Sequence, residues 1–178
     1  MAKTSSSTRS HRGLQWLVLL LGGFFFWVVL PGILLYLATW LDVWARIPPL
    51  NLGAGGAWLG VLLATAGLLL AIWAVYMQTT IGKGTPLPFL PTQNLVQKGP
   101  FALTRNPLYL GGLAYYLGLA LAVGSLSALF LLGLAAIGLH LYVTQVEEAE
   151  LEARFGEAYR AYKRRVPRWL PTRKGSHD

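Results

Sequence analysis

The residues of this 178-residue chain whose types and spacing could do chemistry fall in two short stretches. In the first, Arg105, Asn106, Pro107, Leu108 and Tyr109 stand where an apolar run begins. Asn106 suits a helix N-cap, Pro107 a first helical position and Tyr109 a membrane-interface belt, so these residues have a structural account of their own. The second stretch lies forty residues on. Five of the seven acidic residues fall between Glu147 and Glu157, and Glu147 and Glu148 begin where another apolar run stops. On a regular helix His140, Thr144, Glu147 and Glu148 form one polar stripe climbing back into that run. Lipid would penalise the stripe, so it is expected to face the protein interior or a wet cavity. A surface pair explains Glu150 with Arg154, but not His140 and Thr144.

Membrane helices must position both stretches. The chain is 54% hydrophobic and 12% charged, against about 25% charged in an average soluble protein. Four uncharged runs, 14–41, 57–77, 107–123 and 126–146, are long enough to cross a hydrocarbon core, which takes about 20 helical residues. The first contains Pro31-Gly32, where proline removes a backbone donor, and is expected to tilt and kink there and to remain as an anchor. The third and fourth form a hairpin, because Gly124-Ser125 is the break between them. Ala114, Gly118 and Ala122 share a face of the third, which reads as helix packing. The expected fold class is an all-α membrane protein, a bundle of about four transmembrane helices with a cytoplasmic C-terminal helical segment.

Charge sets the orientation. Lys3, Arg9 and Arg12 precede the first run, and Lys83, Lys98 and Arg105 lie between the second and third. Arg154, Arg160, Lys163, Arg164, Arg165, Arg168, Arg173 and Lys174 follow the fourth. Only Arg46 lies on the other side, so the positive-inside rule makes both termini cytoplasmic in a multi-pass protein. The net charge of +8 is read as pairing with anionic headgroups of membrane lipids rather than with nucleic acid, for which no motif is present. Zero cysteines exclude disulfides and thiolate chemistry, and His11, His140 and His177 are too scattered for an obvious metal site.

The organisation that follows is a cytoplasmic tail at 1–13, a two-span scaffold at 14–77, a functional unit at 78–171 and a tail at 172–178. Trp16, Trp27, Trp40, Trp44, Trp58 and Trp73 mark the scaffold, several near span ends. The connection 78–106 has no periodic pattern and is rich in Gly and Pro, yet Ile81, Leu87, Phe89, Leu90, Leu95, Val96 and Phe101 argue that it is packed. Leu151, Phe155, Tyr159, Tyr162 and Val166 form an apolar line at helical spacing that could lie on the membrane or fold back over the bundle. Folding back brings the loop, Arg105, the start of the third helix and Glu147 together around a pocket open to water and to lipid. Such a pocket suits a charged, water-borne molecule whose reaction partner is a lipid.

"LVQKGPFALTRNPLYLGG" followed by "EEAELEARFGEAYRAYKRRVPRWLP" resembles the integral-membrane methyltransferases of the isoprenylcysteine carboxyl methyltransferase and phospholipid methyltransferase type, over roughly residues 86–171. The resemblance implies S-adenosylmethionine as cofactor and a lipophilic methyl acceptor, of isoprenoid or phospholipid type, reached from the bilayer. It implies no protein partner. It carries cofactor contacts onto Gln93, Asn94, Leu95, Val96 and Phe101, onto Arg105 through Tyr109, and onto Glu147 with Glu148 beside it. Asn106 stands where the family has histidine and Phe101 where it has tyrosine. Val143 occupies the position of the arginine that receives a substrate carboxylate in the isoprenylcysteine enzymes.

A sulfonium methyl is already a strong electrophile, so alignment and exclusion of water are the main demands on the protein. A carboxylate acceptor would need no base; an ammonium would, and Glu147, Glu148 or His140 could serve. Glu147 is expected to hold the cofactor and Glu148 to orient neighbours. Two alternatives remain: an NADPH-dependent membrane sterol or isoprenoid reductase, similar in its last spans and basic tail, and a noncatalytic membrane scaffold. "GAGGAWLG" gives the reductase no support, since it opens an apolar run rather than following a strand.

Overall fold

The computed structural model describes residues 17, 19–85 and 91–170. Outside them lie Lys3, Arg9, His11, Arg12 and Trp16, loop residues 86–90 with Leu87, Phe89 and Leu90, and Arg173, Lys174 and His177. Among the described residues regular structure is entirely helical, in five helices: α1 (Leu19–Trp44), α2 (Gly53–Thr80), α3 (Pro107–Val123), α4 (Leu126–Phe155) and α5 (Glu157–Arg165). Helices α1, α2 and α4 are each long and apolar enough to cross a membrane, and α3 is a shorter apolar helix of 17 residues. The chain is an all-α membrane protein. At 1.5 Å per residue the 30 residues of α4 extend about 45 Å, beyond a hydrocarbon core of about 30 Å, so its acidic last turns project past the lipid.

Helices α2 and α3 pack backbone against backbone. Gly60, Ala64, Gly67, Ala71 and Ala74 are all buried and recur at alternating steps of four and three along α2. They meet Gly111, Gly118 and Ala122 on α3. A Cβ on Gly67 would stand 2.5 Å from Gly111 O, and one on Gly118 would stand 2.4 Å from Gly60 O, so nothing larger than hydrogen fits. Without a hydrophobic driving force between helices in lipid, such close approach is what makes van der Waals packing strong enough to hold a pair together. Ala114 and Gly118 sit in this seam as the small-residue face on α3 predicts, with the once-assigned scaffold helix as the partner.

Pro31 leaves α1 unbroken and changes its hydrogen bonding. A π-helical turn spans Phe25–Val29, in which the Leu30 amide reaches back five residues to Phe25 O. The Phe26 carbonyl thereby loses Leu30, and Pro31 has no N–H to offer either Phe26 or Trp27. Two tyrosines of α3 supply what is missing: Tyr116 OH donates to Phe26 O at 2.6 Å and Tyr115 OH to Trp27 O at 2.8 Å. The perturbation expected at Pro31 is thus an interhelical joint.

At the opposite end the α3–α4 hairpin turns on Gly124, at φ 72°, and Ser125. Ser125 Oγ caps α4 by accepting from the Ala128 amide at 3.1 Å and donates to Asp42 Oδ2 of α1 at 2.5 Å. Asp42 Oδ1 accepts from the Ser127 amide at 3.0 Å. One carboxylate so ties α1 to an otherwise unsatisfied helix start.

Candidate functional site

The site is assembled at the other end of the bundle, where the α2–α3 connection and the C-terminal segment meet. The connection is cinched at its base: the amides of Gln93 and Asn94 both donate to Gly82 O, at 2.7 and 3.1 Å, and Asn94 Nδ2 donates to Ile81 O at 3.1 Å. A 3-10 turn at Gly99–Ala102 then delivers Phe101, which is buried with Val96 against Ala74 of α2. At Gly156, φ 54°, the chain breaks between α4 and α5. Helix α5 consequently folds back: Tyr159, Tyr162 and Val166 form a buried cluster with Leu95, Leu151 and Phe155 packed on it. The apolar line read from the C-terminal sequence therefore lies on the loop. Tyr162 OH donates to Phe101 O at 2.6 Å, and burial, with Glu148 nearby, pushes Tyr159 up to about 12.

Beyond α5 the chain straps across the start of α3. The Arg105 amide donates to Pro167 O at 2.9 Å, and Thr104 Oγ1 and Asn106 Nδ2 both donate to Arg168 O, at 2.9 and 3.0 Å. Asn106 does precede the first turn of α3, but its side chain makes no capping hydrogen bond. Asn106 therefore stands at the N-cap position, as the sequence suggests, but its side chain is held to the strap through Nδ2 and its Oδ1 makes no capping bond, which corrects that part of the expectation. Glu148, 5% exposed, fastens the strap to α4. Arg168 grips it in bidentate fashion, Nε to Oε1 at 2.6 Å and Nη2 to Oε2 at 3.1 Å, while Arg105 Nη1 approaches Oε1 at 2.9 Å and Lys163 Nζ approaches Oε2 at 3.4 Å. A carboxylate this buried is tolerable because three cations surround it.

Beneath this lid runs a cavity of about 1360 Å³. Its wall combines Arg105, Asn106 and Tyr109 with Glu147 and Glu150, and then continues through apolar side chains of α1, α3 and α4 as far as Ala128. Three residues of this wall carry buried side-chain atoms without a hydrogen-bond partner: Gln78 at Oε1, Glu147 at Oε2, and Arg105 at Nε and at Nη1, whose approach to Glu148 is as an ion pair. Tyr109 lies within hydrogen-bonding range of Glu147.

Of the twelve site residues read from the sequence, the structure brings Leu95, Val96, Phe101, Glu147 and residues 105–109 to the cavity wall. Gln93 and Asn94 are exposed and cinch the loop through their amides and the Asn94 side chain, outside that wall, and Glu148 sits in the ion cluster behind it. The polar stripe does not survive intact. A π-helical turn at Val143–Glu147 inserts a residue into the register, so Glu147 faces the cavity while His140 and Thr144 do not. Thr144 Oγ1 bonds back to His140 O at 2.8 Å, and the exposed His140 accepts from Trp169 Nε1 of the strap at 3.0 Å through Nδ1. Sequence reasoning missed Gln78, the one amide side chain of α2, in its last turn, and that was the available signal. It also missed Arg168, one cation within a basic tail.

Residues 56–158 match the phospholipid methyltransferase family. The cobalt-zinc-cadmium resistance protein CzcN of Cupriavidus metallidurans is 34% identical over 144 residues, which are 80% of this chain and 58% of that protein. The chain thus spans somewhat more than half the length of that relative. No solved structure is significantly similar. The family match takes in α2, the cinched loop, the α3–α4 hairpin and the turn into α5, which supply the polar wall of the cavity, while α1 and most of α5 lie outside it. The chain belongs to the phospholipid methyltransferase family of membrane methyltransferases.

Proposed function

We propose that the chain transfers a methyl group from S-adenosylmethionine to a lipid-like acceptor at the polar end of the bundle, with both termini on the cytoplasmic side as the basic residues require. One observation carries the reading: Arg105 and Glu147, which line one cavity, each hold a buried polar atom, Nε and Oε2, without a hydrogen-bond partner. Leaving such groups unpaired costs about 1–3 kcal/mol each, and a ligand bearing both a carboxylate and an ammonium or hydroxyl would satisfy both. The amino-acid and ribose portions of S-adenosylmethionine have those groups, so the residues fit the cofactor.

When bound, that cofactor supplies an electrophilic methyl, and the chain's task is to hold, orient and keep water out. Arg105 is pre-positioned by Glu148, and Glu147 by the Tyr109 phenol. The loop and α5 cover the site. At about 1360 Å³ the cavity exceeds the roughly 300–1,000 Å³ of a typical ligand pocket, which leaves room for an acceptor alongside the cofactor. Its long apolar extension suits a hydrocarbon tail. Glu148 is engaged by three cations and His140 by Trp169, so for an ammonium acceptor the carboxylates placed to take its proton are Glu147 and Glu150. Val143 is fully buried and off the cavity wall, so no cation for an acceptor carboxylate stands at that position.

The test is thermal unfolding of the detergent-purified protein with S-adenosylhomocysteine or with NADPH, since a ligand that binds only the folded form raises stability by about 2.7 kcal/mol at one hundred times its Kd. Stabilisation by S-adenosylhomocysteine alone supports the proposal. Stabilisation by NADPH alone, or by neither, overturns it.

A further inference from the structure

Gln78 Oε1 is the one buried, partnerless side-chain atom among the described residues that belongs to an uncharged group. It comes from the last turn of α2, and its residue lines the cavity. The same helix contributes Val75 to the cavity wall one turn earlier, and the loop contributes Leu95, Val96 and the Phe101 ring together with Thr85 and Thr92. Val96 and Phe101 are buried against Ala74, with Met77 and Leu108 packed on them, so this part of the wall is fixed by its own core. The charged groups on the cavity wall are Arg105, Glu147, Glu150 and Arg154, and all of them belong to the start of α3 or to α4. Gln78, by contrast, brings an uncharged amide to the wall from α2, beside the apolar groups of the loop.

A buried amide oxygen without a partner is costly, and native structures keep such groups where a ligand or another role accounts for them. The group that completes this one must carry a hydrogen-bond donor, and the Phe101 ring with the apolar loop side chains favours one that also presents flat apolar faces. A purine with an exocyclic amine meets both conditions: its faces suit Phe101, and side-chain amides recognise the donor and acceptor edge of adenine in nucleic acids. Resting on the S-adenosylmethionine reading, we propose that Gln78 reads the exocyclic amine of the adenine, with the base beside Phe101 and the amino-acid end turned toward Arg105 and Glu147.

The experiment compares the dissociation constants of S-adenosylhomocysteine and S-inosylhomocysteine, in which a carbonyl oxygen replaces the amine, on the wild type, Gln78→Leu and Gln78→Glu. A ratio taken within one protein is independent of the fraction folded. The wild type is expected to prefer the adenine ligand roughly tenfold, from one hydrogen bond to a buried group. Gln78→Leu brings the ratio close to one, and Gln78→Glu, which keeps an acceptor oxygen, retains the preference. An unchanged ratio in Gln78→Leu, or no preference in the wild type, overturns the assignment while binding of S-adenosylhomocysteine leaves the methyltransferase reading standing. Failure of the wild type to bind either ligand removes both.

Discussion

Glu147 and Glu148 are neighbours in sequence with opposite surroundings. Glu148 is ringed by Arg105, Lys163 and Arg168, whereas one oxygen of Glu147 is buried with no partner. Their substitutions should therefore move stability and binding in different directions. Glu148→Ala leaves the buried Arg105 guanidinium uncompensated, and breaking a buried pair from one side costs about 3–5 kcal/mol. Chemical unfolding is expected to show that loss, together with faster proteolysis of the strap. Glu147→Gln removes a charge that the ligand-free protein pays to desolvate, so unfolding without ligand should shift up or not at all. The same variant is expected to weaken S-adenosylhomocysteine about tenfold, the loss of a charge-assisted hydrogen bond. A Glu147→Gln protein that is less stable without ligand and unchanged in affinity would assign the residue to structure alone.

At the level of elements, the joint between α1 and α3 makes a separable prediction. Tyr115→Phe leaves the Trp27 carbonyl without its donor inside the bundle, but only because Pro31 has no N–H to give. In a Pro31→Ala background the backbone can close that bond itself, and Tyr115→Phe should become nearly neutral. A double-mutant cycle on unfolding free energy is expected to give a coupling of about 0.5–1.5 kcal/mol, near the range for polar contacts in membrane proteins. Additive effects would mean that the tyrosine is not replacing the missing amide. The hairpin at Gly124-Ser125, the start of α3 at Pro107 and the apolar line from Leu151 to Val166 were legible in the sequence because each is a local pattern: a break, a fixed φ, a period. The π-turn at Val143–Glu147 was not. It follows from packing rather than composition, and it rotates His140 and Thr144 away from Glu147 although ideal spacing puts them together. Likewise, small residues along α2 could be seen, but their pairing with Gly111 and Gly118 is non-local, so the helix that supplies Gln78 looked like scaffold.

For the molecule as a whole, the cavity connects two solvents. Its polar end lies under the lid at Glu147, and its apolar wall continues along α4 to Ala128, nineteen residues and about 28 Å away at 1.5 Å per residue, close to the thickness of a hydrocarbon core. Helix α1 forms one side of this passage and meets α3 through the two tyrosine bonds, so the space between them stays open where close-packed glycines close the α2–α3 seam. On the proposed reading the two ends serve different ligands, and a plug midway should separate them. Ala135 lines the passage on α4, about 18 Å from Glu147 by the same rise. Ala135→Trp is expected to leave the thermal shift by S-adenosylhomocysteine intact, because nothing at the lid changes. It should reduce incorporation of labelled methyl into a membrane lipid extract by tenfold or more, since a tail that cannot enter cannot present its head group. Undiminished incorporation with the plug in place would show that the acceptor approaches from outside the passage, and the apolar extension would then be a lipid-filled gap between helices rather than part of the site.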